Sequence, residues 1–140
     1  MNSDKIMKEI LASAKTVASV GVSSNPEKDS YGVVEYLKQQ GYRIIPVNPT
    51  ASEIMGEKAY PDLSSIPEKV DVVQIFRKPE DVPPVVDEAI KIGAKVVWMQ
   101  EGIVNEAAAI KARAAGLRVV MDACMRANHR RLIGTKMIRL

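Results

Sequence analysis

Reactive side chains are scarce in this sequence: its 140 residues hold one cysteine, Cys124, and one histidine, His129. A lone cysteine closes no intramolecular disulfide. Without a Cys/His cluster at ligand spacing there is no structural zinc site to expect, and both absences suit a reducing, cytoplasmic setting. Aromatic residues are few, with one Phe and one Trp, and both fall in apolar runs that read as strands. The basic residues therefore have no stacking platform beside them, which disfavours nucleic-acid binding. No apolar stretch approaches the length of a membrane span, and the charged opening MNSDKIMKEILASAK lacks the apolar core of a signal peptide. The net charge is only +3, from 20 basic and 17 acidic residues. The excess gathers in Arg126, Arg130, Arg131, Lys136 and Arg139, either to suit a small anionic ligand or as a solvated face.

What the sequence does contain is an alternation of two periodicities. Ile6, Ile10, Leu11 and Ala14 recur at helical spacing behind Ser3, which predicts an opening helix over residues 3–14 with Ser3 as its N-cap. Five short apolar runs follow, at 16–22, 42–47, 70–76, 94–99 and 117–121. Nearly continuous Val/Ile runs of this length indicate strands covered on both faces, as in a parallel sheet. Helical segments are expected between and after them, at 31–40, 80–92, 104–115 and 123–131. The first three end at Gly41, Gly93 and Gly116, where left-handed caps are expected. The segment from Pro49 to Pro67 replaces one crossover helix by a longer loop, with short helices expected over 51–55 and 62–66. Together these define one α/β domain: a doubly wound, Rossmann-like, five-stranded parallel sheet with helices on both faces, its strands expected in the order 3-2-1-4-5.

In such a sheet ligands bind beyond the carboxyl ends of the strands. The loop after strand 1 offers Gly21 for a tight turn, Ser23 and Ser24 as hydroxyl donors, Lys28 as a cation and Ser30 as a cap for a helix whose free N–H groups face a phosphate. The same residues also read as an ordinary polar connection. No G-x-G-x-x-G fingerprint follows strand 1, and strand 2 ends in Val47-Asn48-Pro49 without the acid that a dinucleotide ribose needs, so NAD binding is disfavoured twice. The P-loop pattern G-x-x-x-x-G-K-S/T is missing altogether. Arg77 and Lys78, after strand 3, read either as cations for a diphosphate or ribose phosphate or as solvated loop charges. Phe76 and Ile75 read as the wall of an adenine pocket or simply as core. Glu101 sits at the cleft mouth without a paired nucleophile and base, and a lone carboxylate defines no reaction. His129 reads as a packing or surface residue; Cys124 reads as a half-buried structural thiol or as one activated by a nearby helix N-terminus.

Six motifs occur in order: V-G-V-S-S-N-P-E-K-D-S-Y-G-V, G-Y-R-I-I-P-V-N-P, I-M-G-E-K-A-Y-P-D-L-S-S-I-P, V-D-V-V-Q-I-F-R-K-P-E-D-V, A-K-V-V-W-M-Q-E-G-I and V-V-M-D-A-C. Read together, over residues from about 5 to 135, they resemble the stand-alone CoA-binding protein family. Its fold is similar to the CoA-binding domain of succinyl-CoA synthetase alpha subunits and of ADP-forming acyl-CoA synthetases. The resemblance implies coenzyme A as the ligand. It implies contacts from Ser23, Ser24 and Asn25 in the phosphate loop with Lys28 beside them, from Asn48 and Pro49, from Phe76 and Arg77, and from Met99, Gln100 and Glu101 after strand 4. The chain departs from the synthetases at Thr50, Ala51 and Ser52, where they carry a lysine, and from many relatives at Ala123, where they carry an arginine.

The expectation is a non-catalytic module that binds CoA or a short acyl-CoA through its nucleotide and phosphates, the ligase domains of the synthetases being absent from the 140 residues. Two other classes stay open. One is a small redox protein in which Cys124 exchanges with the CoA thiol. The other is a CoA-responsive regulatory subunit whose exposed helices dock on another protein, with the segment bearing Met121, Met125 and Met137 as a candidate surface; assembly as a homo-oligomer also stays open.

Overall fold

A computed structural model of the chain describes residues 2–135; Lys136, Met137 and Arg139, named above, lie outside them. Helix α1 (Asp4–Ser13) opens the chain, the Ser3 hydroxyl accepting the Ile6 N–H at 3.3 Å, and buries Met7, Ile10 and Leu11. Strand β1 (Thr16–Val20), helix α2 (Asp29–Gln39) and strand β2 (Arg43–Val47) make the first β-α-β unit. A hairpin of β3 (Glu53–Ile54) and β4 (Glu57–Lys58) follows, where a short helix was expected. Its two-residue loop, Met55 and Gly56, has φ of 46° and 78°, the doubly left-handed turn that matches strand twist and excludes a helix. The second short helix is present as a single 3-10 turn, Leu63–Ser65, capped by the Asp62 carboxylate.

The chain continues through β5 (Val72–Ile75), a 3-10 turn at Pro79–Asp81, α3 (Val82–Lys91), β6 (Val96–Met99), α4 (Glu106–Ala114), β7 (Arg118–Val120) and α5 (Met125–Leu132). The expected glycine caps close α2, α3 and α4, with φ of 102° at Gly41, 76° at Gly93 and 91° at Gly116.

The five long-range strands form one parallel sheet, and the doubly wound α/β class is as expected, but the order is β2-β1-β5-β6-β7. Counted along the chain this is 2-1-3-4-5, which corrects the order 3-2-1-4-5. The third strand lies beside β1 and not outside β2, for two local reasons. The returning loop itself takes the outer edge of β2: the Tyr60 N–H donates to the Pro46 carbonyl at 3.0 Å and the Asn48 N–H to the Tyr60 carbonyl at 2.9 Å. Asp71, just before β5, accepts the N–H groups of Lys15 and Thr16 at 2.9 and 3.0 Å, pinning the start of β5 to the start of β1. The topological switch point therefore lies between β1 and β5.

Alternation along the strands sends Val17, Val72, Val96, Trp98 and Val120 to the face covered by α1, α2 and α5. Ala18, Val20, Val73, Ile75, Val97 and Met99 go to the face covered by α3 and α4. Trp98 is fully buried, and its indole N–H donates to the Ala123 carbonyl at 2.8 Å, fastening the β7–α5 connection to the sheet. His129 is buried in α5, hydrogen-bonded through Nδ1 to the Tyr36 hydroxyl at 2.8 Å and edge-on to Tyr36 and Tyr42. Beyond β7, the Asn2 side-chain amide donates to the Met121 carbonyl at 2.6 Å and accepts the Met121 N–H at 3.1 Å. No described helix is long and apolar enough to cross a membrane.

Candidate functional site

The loop between β1 and α2 is stitched to itself before any ligand arrives. Gly21 leaves β1 with φ of 87° and approaches β5 so closely that a Cβ there would lie 2.9 Å from the Phe76 carbonyl oxygen. Val22 is wholly buried and anchors the loop, its carbonyl accepting from Asn48 Nδ2 at 3.2 Å. The Ser23 N–H donates to Ser30 Oγ, the Asn25 N–H to Ser23 Oγ and the Glu27 N–H to Asn25 Oδ1, each at 3.0 Å. These short Ser and Asn turns fix the backbone. Ser24 and Lys28 are left exposed on the loop. Lys28 is the N-cap residue of α2 and makes no side-chain cap bond. Ser30 sits within the first turn and holds the Ser23 N–H, so it ties loop to helix and does not cap the helix as expected.

Asn48 has a similar fastening role at the end of β2. Besides reaching Val22, its Oδ1 accepts from the N–H groups of Thr50 and Ala51 at 2.9 and 3.1 Å and from the Thr50 hydroxyl at 2.9 Å. Pro49 beside it is exposed.

Beyond the carboxyl ends of β1, β5 and β6 lies a cleft of about 490 Å³. It brings together Gly21, Ser30, Phe76, Gln100 and Glu101 from the sequence reading, along with Cys124 of the redox alternative, and adds Asp29, Val33, Ile103 and Arg126. Ser23, Ser24, Asn25 and Lys28 adjoin it along the chain between Gly21 and Ser30. Arg77 also comes close, its Cδ 3.4 Å from where a Gly21 Cβ would stand. Met99 differs from its neighbours: it has no exposed surface and packs into the core under α3 and α4, so the loop after β6 meets the cleft through Gln100 and Glu101.

Two helices begin at this cleft, α2 behind Lys28 and α5 behind its N-cap Cys124. The positive ends of their dipoles give the cleft the polarity that suits an anion, although the first N–H of α5, that of Met125, is already taken by Gln100 Oε1 at 2.9 Å. A larger cavity, about 800 Å³, opens at the opposite end of the sheet among Glu9, Asp71, Gly93, Lys95, Gly116 and Arg118. There α3 and α4 end, at the negative poles of their dipoles, and the two cations are already paired, Arg118 with Glu9 at 3.2 Å and Lys95 with Asp71 at 3.6 Å. For a phosphate-bearing ligand the smaller cleft is the better match.

The sequence reading missed Arg126, Val33 and Ile103 as lining residues because none of them ends a strand: Val33 lies inside α2, Ile103 in the loop after β6 and Arg126 in the first turn of α5, which only its packing against α2 brings to the end of β1. The signal it did leave is Gly32, a glycine inside a helical run: a Cβ there would stand 3.3 Å from Arg126 Nη1.

A domain of this kind, a doubly wound sheet with a prearranged loop and two helix N-termini at its switch point, is a nucleotide-binding one in architecture. Residues 15–130 match the CoA binding domain family, and the chain belongs to that family. It is 41% identical over 123 residues to the uncharacterized protein YneT of Bacillus subtilis, covering 88% of this chain and 91% of YneT. It is 39% identical over 83 residues to acetate–CoA ligase (ADP-forming) II of Archaeoglobus fulgidus, of which it spans 12%. Among solved structures, a hypothetical protein from Pyrococcus horikoshii superposes with a TM-score of 0.92 at 44% identity, over 95% of this chain and 94% of that one. The domain thus occurs both as nearly the whole of a small protein and as a minor part of a ligase.

Proposed function

We propose that the chain binds coenzyme A, or a short acyl-CoA, with the nucleotide and phosphates lying over the carboxyl ends of β1, β2, β5 and β6, and that it acts as a binding module without catalysing a reaction, in a reducing cytoplasm. The observation that carries this is the cleft at the switch point. Its entry loop is held by its own hydrogen bonds, two helices start at it, and Ser24, Lys28 and Arg77 stand around it, while Asn48 occupies the place of the acid that an NAD ribose needs. Membership of the CoA binding domain family supports the choice of ligand.

Calorimetric titration of the purified protein with CoA, with NADH and ATP as controls, tests the reading. CoA is expected to bind and the controls are not. Ser24→Ala and Arg77→Ala are each expected to weaken CoA by about tenfold or more, as for loss of one hydrogen bond to a charged group. Binding of NADH without CoA would overturn the assignment.

The position of Cys124 favours a second reading. Its half-buried thiol lines the same cleft, so it could attack CoA disulfide, forming a protein–CoA disulfide and releasing one CoA thiol. Mass measurement after incubation with CoA disulfide decides it: an adduct present in the wild type and lost in Cys124→Ala supports exchange, and no adduct removes it.

A further inference from the structure

A line of buried amides runs from the middle of the sheet to the cleft. The Ser19 hydroxyl donates to Gln74 Oε1 at 2.8 Å, Gln74 Nε2 donates to Gln100 Oε1 at 3.1 Å, and the same oxygen accepts the Met125 N–H at 2.9 Å. All three side chains are inside: Ser19 and Gln74 are 0% exposed and Gln100 is 5%. A backbone N–H can only donate, so Met125 fixes which end of the Gln100 amide faces α5. The oxygen is held there, and the NH2 group is turned away. Among the described residues that NH2 group meets no acceptor, yet it is not sealed in the core, since no buried side-chain polar atom lacks a partner and Gln100 lines the cleft. Gln100, a residue only 5% exposed, thus keeps its oxygen inside and presents its amide NH2, with two unused N–H bonds, at the surface of the cleft.

Arg126 lines the same cleft, half-buried, from the first turn of α5. Its guanidinium lies against the first turn of α2, in space that the missing side chain of Gly32 leaves open. No ion pair or hydrogen bond engages it among the described residues. The cleft's own carboxylates, Asp29 and Glu101, are exposed at its edges and neither is within ion-pair distance of the guanidinium. A cation beside a helix N-terminus is in a repulsive field, because both carry positive charge. An anion placed between them removes the conflict, and it would meet the Gln100 amide from the third side.

We infer that Arg126 is a diphosphate-binding residue, that Gln100 supplies the second side-chain donor to the same group, and that Gly32 keeps the guanidinium's place open. The inference rests on the CoA reading above and names which part of the ligand lies deepest at the switch point. The diphosphate sits between the N-termini of α2 and α5, and the ribose 3′-phosphate lies elsewhere, beyond reach of Arg126.

The test is titration of the wild type, Arg126→Gln, Arg126→Lys and Gly32→Ala with CoA and with 3′-dephospho-CoA, which keeps the diphosphate. Trp98 emission confirms folding of each variant. Arg126→Gln is expected to weaken both ligands by the same factor, about 10 to 100, as for loss of a charge-assisted contact, and to flatten the salt dependence of binding. Arg126→Lys recovers only part of the loss, because a point charge does not replace the planar fork. Gly32→Ala raises helix stability yet weakens both ligands a few-fold by displacing the guanidinium. Wild-type affinity in Arg126→Gln, or a loss confined to CoA, would overturn the inference and leave the CoA reading intact. A wild type that takes neither ligand overturns the CoA reading itself.

Discussion

Substituting Gly21 by alanine tests the closest backbone approach in the cleft. At φ of 87° the residue is in the left-handed region, which costs a side-chain-bearing residue about 1–2 kcal/mol. The new Cβ would stand 2.9 Å from the Phe76 carbonyl oxygen and 3.2 Å from its carbon. Both contacts are with backbone that is fixed by the Phe76 N–H donating to the Val20 carbonyl at 2.9 Å, so nothing can rotate out of the way. Overpacking of this sort costs about 1–3 kcal/mol, against which the stiffer unfolded chain returns about 0.4–1 kcal/mol. The net loss is about 2–4 kcal/mol. With a urea m-value of roughly 2 kcal/mol/M, the middle of the usual range, the midpoint falls by about 1–2 M. Gly41→Ala is the control: its φ is 102° but no atom lies within 4 Å of the added Cβ, so only the backbone cost of about 1 kcal/mol remains. Trp98, the sole tryptophan, is fully buried and reports unfolding by its emission. Equal losses in the two variants would refute the reasoning, because the contact with Phe76 would then contribute nothing. CoA affinity should fall in Gly21→Ala and stay unchanged in Gly41→Ala.

Two further predictions concern pH. Burial by itself would raise the Asp71 carboxyl, but the Thr16 and Lys15 N–H groups and the Lys95 ammonium outweigh it and hold the carboxyl below its ordinary 3.8. Its contribution is therefore present above that value and disappears as pH falls through the lowered one. Asp71→Asn should lose about 1–2 kcal/mol at neutral pH and show a shallower decline in stability on acidification, measured by urea titration at a series of pH values. Tyr42 is pushed up to about 12, first by burial and then by Tyr36, with its hydroxyl donating to the Leu11 carbonyl. A group raised in the folded state stabilises it fully below the unfolded value of about 10 and loses that stabilisation as pH climbs toward 12. Tyr42→Phe should flatten this alkaline decline, at a cost of about 1 kcal/mol near neutrality. An alkaline slope identical to the wild type's would contradict that origin.

The class of fold was legible because its signals are local. Apolar runs of Val and Ile bounded by Gly41, Gly93 and Gly116 define covered strands and capped helices without any knowledge of their neighbours. Strand order is a different kind of information. It depended here on Asp71 reaching the N–H groups of Lys15 and Thr16, 56 and 55 residues away, and on Tyr60 taking the edge of β2, neither of which leaves a periodic trace. The expected helix over 51–55 failed for a related reason: Met55 adopts a left-handed backbone that only the adjoining glycine advertises. At the cleft, the strand ends were readable as positions along the chain, so Gly21, Ser30, Phe76, Gln100 and Glu101 were expected where the structure gathers them. Arg126 was not, since it enters the cleft sideways from a helix that starts after the last strand. Met99 was placed by its neighbours in sequence, but strand alternation turns it into the core while Gln100, one residue on, turns the other way.

The Asn2 amide that meets Met121 has a consequence for how copies of the protein behave toward each other. A parallel sheet has two outer strands, each with backbone groups that can recruit another chain. Beyond the end of β7, the side chain of Asn2 imitates a peptide unit, filling both the donor and the acceptor of Met121, while at β2 the backbone of Tyr60 does the same to Pro46 and Asn48. At each margin the groups next to the carboxyl end of the outer strand are thus taken by a single short segment of the same chain rather than by a further strand. Loss of the amide in Asn2→Ala would expose one peptide's worth of unmet hydrogen bonding at the rim, and the first sign of it would be slow self-association at high concentration, before any fall in melting temperature.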